Sequence, residues 1–184
     1  MNCFSAQIRT IADDEFEVLE SIENDADRVL IDILQPTRWN PAPPGNTRRG
    51  HAGTVLVAEE PIESRSPIAG FIDVRYVDSV TAYVDVLAVR RQSMRRGIGR
   101  SLLQEATARA MYSGMEHLTL RTYRSIAFNA PFYASEGFSP FSPAENATWA
   151  AKVLAAERAG GLPVPEDRVF MHLPLRSPRY GGPT

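Results

Sequence analysis

The chain has little sulfur and little histidine: among 184 residues there is one cysteine, Cys3, and three histidines, His51, His117 and His172. A lone thiol closes no internal disulfide, and the scattered histidines lack metal-ligand spacing. A disulfide-stapled scaffold and a zinc module are thus excluded as readings, and no metal is expected. No apolar run reaches the length a bilayer requires. The first residues, with Asp13 soon after, lack a signal-peptide pattern, so the expected location is cytoplasmic and no membrane partner is expected. A formal net charge of −2 offers no broad cationic face, so nucleic acid is not expected as a partner either. Internal repeats and low-complexity tracts are also missing. What is present is 43% hydrophobic and 23% charged, an ordinary globular composition with enough chain for one sizeable core.

The most informative segment is 87–103, LAVRRQSMRRGIGRSLL. Leu87, Ala88 and Val89 end an apolar β-rich run, a turn of arginines and glycines follows, and Leu102, Leu103, Ala106, Ala110 and Met111 then recur at helical spacing. Gly97 and Gly99 let backbone N–H groups approach an anion, and the positive end of the new helix attracts negative charge. Arg90, Arg91, Arg95, Arg96 and Arg100 crowd the same turn, which suits a pyrophosphate. The spacing rejects two familiar nucleotide motifs. The position three after Gly99 is Leu102 and not the glycine of a dinucleotide fingerprint, and the lysine of a P-loop is absent there. A solvated basic helix start, with glycines serving a tight turn, is the alternative.

Alternation predicts strands over 7–11, 53–58, 68–77, 81–89, 118–123 and 168–173. Helical spacing marks 13–32, with Phe16, Leu19 and Ile22 on its buried face, and 97–112, ended by Gly114. Ser142, Pro143 and Glu145 read as a capping box with proline in the first turn, opening a helix that runs to Gly160. Segment 35–50 is irregular because Pro41, Pro43 and Pro44 deny backbone donors. A polar loop is expected at 61–67 and a loose tail at 176–184. Meandering strands with one strand–loop–helix crossover imply a single α/β domain, 1–175, built on a mixed sheet.

The run R-R-G-I-G-R (Arg95 to Arg100), following a strand that ends at Val89, resembles the acetyl-coenzyme A motif of the GNAT superfamily of N-acetyltransferases. A second match is N-A-P-F-Y (Asn129 to Tyr133) followed by Gly137-Phe138, after a predicted strand. Two positions depart from the family pattern: Met94 stands where Gln or Arg is usual, and Ile126 where an asparagine is widespread. The resemblance implies the GNAT fold, a mixed, mostly antiparallel central sheet flanked by helices. It further implies an N-acetyltransferase that moves an acetyl group from acetyl-CoA to an amine by direct attack in a ternary complex. A small-molecule acceptor is the first expectation. Transfer to a protein N-terminus or lysine, and a non-catalytic acyl-CoA sensor, are the alternatives. A homodimer is also expected, because many GNAT domains pair through sheet edges or C-terminal elements and segment 168–173 offers an edge.

By the same resemblance, Arg95, Arg96, Gly97, Ile98, Gly99 and Arg100 receive the pyrophosphate. Leu87, Ala88 and Val89 carry the thioester, with a main-chain N–H on its carbonyl oxygen. Tyr133 matches the tyrosine that protonates the leaving thiolate; its alternative is a packing anchor beside Phe132 and Phe138, with the hydroxyl tied to backbone. Asn129 either contacts the pantetheine arm or caps the next helix. For a base, the residues themselves point to Asp85, read on the same alternating face as Tyr83, Leu87 and Val89; its alternative is an ion pair with an arginine such as Arg75. The acidic run from Asp13 to Asp27 either draws a cationic amine or is a solvated helix face. Trp39 and Asn40 either line a pocket or pack the proline-rich loop down.

Overall fold

Strand formation follows the alternation. In a computed structural model describing residues 6–60 and 68–175, β2 (Gly53–Glu59) sends Val55 and Val57 to one face and Leu56 and Ala58 to the other, all four buried. β3 (Ile68–Tyr76) is buried over its first seven residues, an apolar run broken by Asp73. With β1 (Gln7–Thr10), β4 (Thr81–Val89), β5 (His117–Tyr123), β6 (Ser139–Pro140) and β7 (Arg168–Pro174), they form one seven-stranded sheet ordered β1-β2-β3-β4-β5-β7-β6. Every pairing is antiparallel except β4 with β5. A parallel pair needs a long crossover, and α2 (Ile98–Tyr112) supplies it. The helices α1 (Val18–Leu34), α3 (Ala130–Ser135) and α4 (Thr148–Gly160) complete the flanks. The expected loop 61–67, the expected tail 176–184 and Cys3 lie outside the described residues.

Each helix buries one stripe. α2 sets Leu102, Leu103, Ala106 and Ala110 against Leu56, Ile72, Val74 and Leu118. On the opposite face, Phe16 and α1 residues Leu19 and Ile22 meet Val55, Val57 and Phe71, while α4 covers Tyr83 and Phe170 with Trp149 and Ala150. Each fully buried leucine or isoleucine of this kind contributes about 1.5–3 kcal/mol relative to exposure.

Two helix starts differ from expectation. α1 begins at Val18 because Glu15 is captured first: its carboxylate accepts from the Ala12 N–H at 2.9 Å and from both Nη atoms of Arg9 at 2.6 Å, which holds the preceding residues in turns. α4 begins at Thr148, with Ala147 at its N-cap and no side-chain cap, so Ser142 and Glu145 do not form the expected box. The Phe141 N–H donates to the Phe170 carbonyl at 3.0 Å, committing the chain to the sheet edge until a turn at Glu145 and Asn146 releases it.

The sheet is irregular where it matters. Val74 pairs with Val84 and Asp73 with Val86, leaving Asp85 as the extra residue of a bulge in β4. One extra residue inverts the alternation, so Tyr83, Leu87 and Val89 do not share one face as expected: Tyr83 packs under α4, Leu87 and Val89 join the α2 side, and Asp85 stays with Arg75, the β3 residue paired with Tyr83. Just past the bulge β4 loses its other neighbour. Pairing with β5 covers only Thr81–Val84 against His117–Leu120. Beyond that the strands part, and the backbone groups on that edge of β4 face a gap. The expected edge at the last strand is covered, because β7 lies between β5 and β6, with His172 and Met171 paired to Ser139 and Pro140.

Candidate active site

The gap between β4 and β5 widens into a cleft of about 1520 Å³, walled by α1, the proline-rich segment, the start of α2, α3 and α4. Of the residues singled out from the sequence, Leu87, Ala88, Val89, Arg95, Gly97, Ile98, Gly99, Arg100, Asn129, Tyr133 and Asp85 all line it. Arg96 does not, and forms an ion pair with Glu60 at 2.5 Å.

At one end the chain leaves β4 through a short 3₁₀ turn, Arg91–Ser93, and enters α2 by way of two left-handed residues, Arg95 (φ 61°) and Gly97 (φ 84°). A Cβ added at Gly97 would meet nothing within 4 Å, and one at Gly99 only the Val89 Cγ2 at 3.8 Å, so the glycines leave open space above the first turn of a 15-residue helix. Its first N–H groups have no intrahelical acceptor and suit an anion. The arginines are more occupied than their crowding suggested. Arg90 donates to the Ile68 carbonyl and Ser21, Arg91 pairs with Asp25, and Arg100 pairs with Glu136 at 2.6 Å. Glu60 fastens the turn twice, through Arg96 and through Ser93 Oγ at 2.8 Å. Arg95 has no ion-pair partner among the described residues.

Midway along the cleft, the Tyr133 ring is buried and meets Phe132 and Phe138 edge-on at 5.1 and 5.7 Å. Its hydroxyl has no hydrogen-bond partner among the described residues, so the expected alternative of a tie to backbone is not seen. Burial pushes the phenol well above its ordinary range, against a smaller opposing effect of Arg168, and keeps it protonated. Asn129 occupies the N-cap position of α3 without a side-chain capping bond, which leaves its amide facing the cleft.

The far end is lined by Arg48, which sequence reasoning did not single out, together with Asp85 and with Glu23 and Asp27 of the acidic run. Arg48 is almost fully buried; its Nη2 donates to Glu23 Oε2, and its Nε lies 3.6 Å from the buried Asp73. Asp73 also meets His51 at 2.8 Å and Arg75 at 3.7 Å, and Arg75 in turn holds Asp85 at 2.8 Å. Of the two roles left open for Asp85, the ion pair with Arg75 is thus formed. Burial pushes Glu23 up to about 7, with Arg48 opposing and the charges of Asp27, Asp85 and Asp73 adding to the rise. Burial also raises Asp27, against a hydrogen bond from Trp39 Nε1 at 3.1 Å. The other acidic side chains of the run fall outside the cleft, as a solvated or locally paired helix face. Asn40 donates to the Gly160 carbonyl at 2.8 Å, so the proline-rich segment bridges α1 and α4; it both lines the cleft and is packed down. Opposite, Glu157 binds Arg121 and Arg168, each at 2.7 Å. No segment motif announces Arg48 or Asp73; only the fold brings them to Glu23.

Residues 51–140 match the model of the acetyltransferase (GNAT) domain. Among solved structures, the chain resembles the ribosomal-protein-S18-alanine N-acetyltransferase of Escherichia coli, with a TM-score of 0.66 at 17% identity, covering 97% of this chain and 99% of that one. It is also similar to Rv2747 of Mycobacterium tuberculosis, solved with CoA and NLQ, with a TM-score of 0.65 at 14% identity over 92% of this chain and 99% of that one. A third likeness is the PaiA N-acetyltransferase of Thermoplasma acidophilum in complex with coenzyme A, with a TM-score of 0.63 at 15% identity over 92% and 99%. The sheet order, the split beside β4 and these matches agree: the chain has the GNAT fold, and its residues 51–140 match the acetyltransferase (GNAT) domain.

Proposed function

We propose that the protein is an acetyl-CoA-dependent N-acetyltransferase acting on an amine held at the α1 end of the cleft. The observation that carries this reading is the split between β4 and β5. It aligns backbone groups beyond the β5 pairing with a glycine-rich helix start and with the buried phenol of Tyr133, whose hydroxyl has no hydrogen-bond partner among the described residues. In this reading the N–H groups around Arg95, Arg96, Gly97, Ile98, Gly99 and Arg100 hold the pyrophosphate, and Asn129 binds the pantetheine arm. A main-chain N–H near Leu87, Ala88 or Val89 binds the thioester oxygen, which gains negative charge as the amine attacks. Tyr133 protonates the departing sulfur. Asp85 stands at the bulge as a carboxylate that draws the ammonium toward the thioester; its pairing with Arg75 leaves removal of the proton to be assigned separately. Coenzyme A in two of the structural relatives supports the ligand class.

The acceptor is a small amine in this proposal. Transfer to a protein N-terminus has the ribosomal-protein relative in its favour. The deciding experiment is release of free thiol from acetyl-CoA with a panel of amines: tryptamine, spermidine, a lysine amide and an alanine-terminated peptide. Turnover with any of them supports the enzyme, and turnover with the peptide alone favours the protein acceptor. Tight acetyl-CoA binding without turnover supports a sensor. We further place the enzyme in the cytoplasm. A homodimer, expected from an open edge at the last strand, has lost that ground now that β6 covers it; sedimentation reads the assembly directly.

A further inference from the structure

The proposed reaction needs a group that deprotonates the acceptor, since an alkyl ammonium with a pKa of about 10.4 is almost wholly protonated at neutral pH. Four carboxylates line the cleft: Glu23, Asp27, Asp85 and Glu157. Glu157 is engaged through both oxygens, by Arg121 and Arg168. Asp85 is held by Arg75 and is the most exposed of the four. Asp27 takes a neutral donor, Trp39, one helical turn farther along α1. Glu23 differs from all three. Only its Oε2 is bound, by Arg48, and Oε1 has no hydrogen-bond partner among the described residues.

Arg48 is itself fixed. It lies over the Phe71 ring at 5.4 Å, reaches the Pro43 carbonyl, and rests on Asp73 under the bulge of β4. This fixes one oxygen of Glu23, a residue of the cleft lining, and leaves the other without a partner among the described residues. The charged groups around Glu23 are Arg48 from the proline-rich segment, Asp27 from its own helix, Asp85 from β4 and Asp73 from β3. Three of the four are anions, which favours a carboxyl ready to accept a proton.

Resting on the acetyltransferase reading above, we propose that Glu23 is the general base: its carboxylate takes a proton from the bound acceptor ammonium before the amine attacks. The balance is as follows. The N–H bond of the ammonium breaks, and its proton moves to Glu23 Oε1. The freed lone pair forms the C–N bond, the thioester C–S bond breaks, and Tyr133 gives its proton to the sulfur. The nitrogen sheds a second proton as the amide forms, restoring the Tyr133 phenol, and Glu23 returns the first proton to solvent. Arg48 is the positioning residue that keeps the carboxylate aimed.

The test compares pH profiles of kcat/KM for wild type, Glu23→Gln and Asp85→Asn, using whichever amine of the panel turns over best. Wild type should show an acid limb with its midpoint near 7. Glu23→Gln, folded by thermal denaturation, should lose about 10²-fold or more at pH 7, and its limb should move up toward the ionisation of the amine itself, about 10. Asp85→Asn should keep the limb near 7 whatever its rate. If Glu23→Gln retains the wild-type limb, or if the limb leaves with Asp85, the assignment of Glu23 is overturned while the acetyltransferase reading stands. If wild type turns over none of the amines, that reading fails and the assignment with it. Should Glu23→Gln not fold, Glu23→Asp decides. Its shorter reach should cut the rate at least tenfold with the limb still set by a carboxylate, and a wild-type rate overturns the proposal.

Discussion

Replacing Tyr133 by phenylalanine removes one oxygen and nothing else from the middle of the cleft. The ring stays 5.1 Å from Phe132 and 5.7 Å from Phe138, so its packing is retained. A typical hydrogen bond is worth about 0.5–1.5 kcal/mol net. The Tyr133 hydroxyl makes none with the described residues, so stability should change by less than about 1 kcal/mol. The rate should change far more. A positioned general acid contributes about 10²–10⁴-fold, and the lower bound corresponds to about 2.7 kcal/mol of barrier. Burial holds the phenol protonated past its ordinary range, so the wild-type advantage should persist across neutral pH. It should narrow only as the thiolate, with a free pKa of about 8.5, becomes able to leave unaided. Thiol release at saturating amine gives kcat, calorimetry gives the acetyl-CoA affinity, and a thermal melt gives stability. The expected signature is a collapse of kcat with affinity and Tm held. Wild-type turnover by folded Tyr133→Phe would refute the reasoning and return the phenol to a packing role.

Gly97→Glu should abolish acetyl-CoA binding in calorimetry. The left-handed backbone at φ 84° costs a non-glycine residue about 1–2 kcal/mol, but the new Cβ enters open space, so the variant should fold and fail through charge and bulk over the anion site; unchanged affinity would remove the cradle. Glu157→Ala strips the shared partner from Arg121 and Arg168. Loss of a buried ion-pair partner costs about 3–5 kcal/mol; because both guanidiniums keep their stacking on Phe170 and Tyr123, a fall of about 2–3 kcal/mol in urea denaturation is expected, and an unmoved midpoint would show the network to be idle. Glu23 makes a signed forecast for stability. Its folded pKa is raised, from 4.5 to about 7, so its contribution is full below pH 4.5 and lost as pH rises through 7. Relative to Glu23→Gln, wild type should lose up to about 3 kcal/mol between pH 4.5 and 8, and parallel pH–stability curves would contradict the burial of that carboxyl.

Six of the strands and the glycine-bearing turn into α2 were legible because both are written locally. Period-two alternation marks β2 and β4, and Gly97 and Gly99 stand between a valine-ended strand and a leucine-spaced helix. The helix starts were less legible, because Glu15 is claimed by Arg9 and Phe141 by Phe170, partners distant in sequence or in a different element. The bulge at Asp85 was invisible for a related reason: nothing in T-A-Y-V-D-V-L-A-V states that Val84 and Val86 will pair with adjacent residues of β3. That one slip also split Tyr83 from Leu87 and Val89, which the alternation had put on one face with Asp85. Glu23 and Asp27 were seen only as members of an acidic run, and what distinguishes them is Arg48 and Trp39, brought over α1 by a segment whose prolines said only that it would be irregular.

The brief contact between β4 and β5 has a mechanical meaning. Among the described residues, four rungs, Thr81–Val84 against His117–Leu120, with the Val80 carbonyl accepting from the Glu116 and His117 N–H groups at their closed end, tie the four-strand part of the sheet to the three-strand part by backbone pairing. The remainder of the joint is side-chain packing under α2 and whatever occupies the gap. The sheet is therefore hinged like a partly closed zipper, and its amides should divide in hydrogen exchange: those of the four rungs slowest, those of Asp85–Val89 facing the gap fast in the free protein. A molecule that bridges the open teeth adds rungs without adding a strand, so it couples two halves that are otherwise free to breathe separately, and protection should spread along β4 in proportion to how much of the gap it spans.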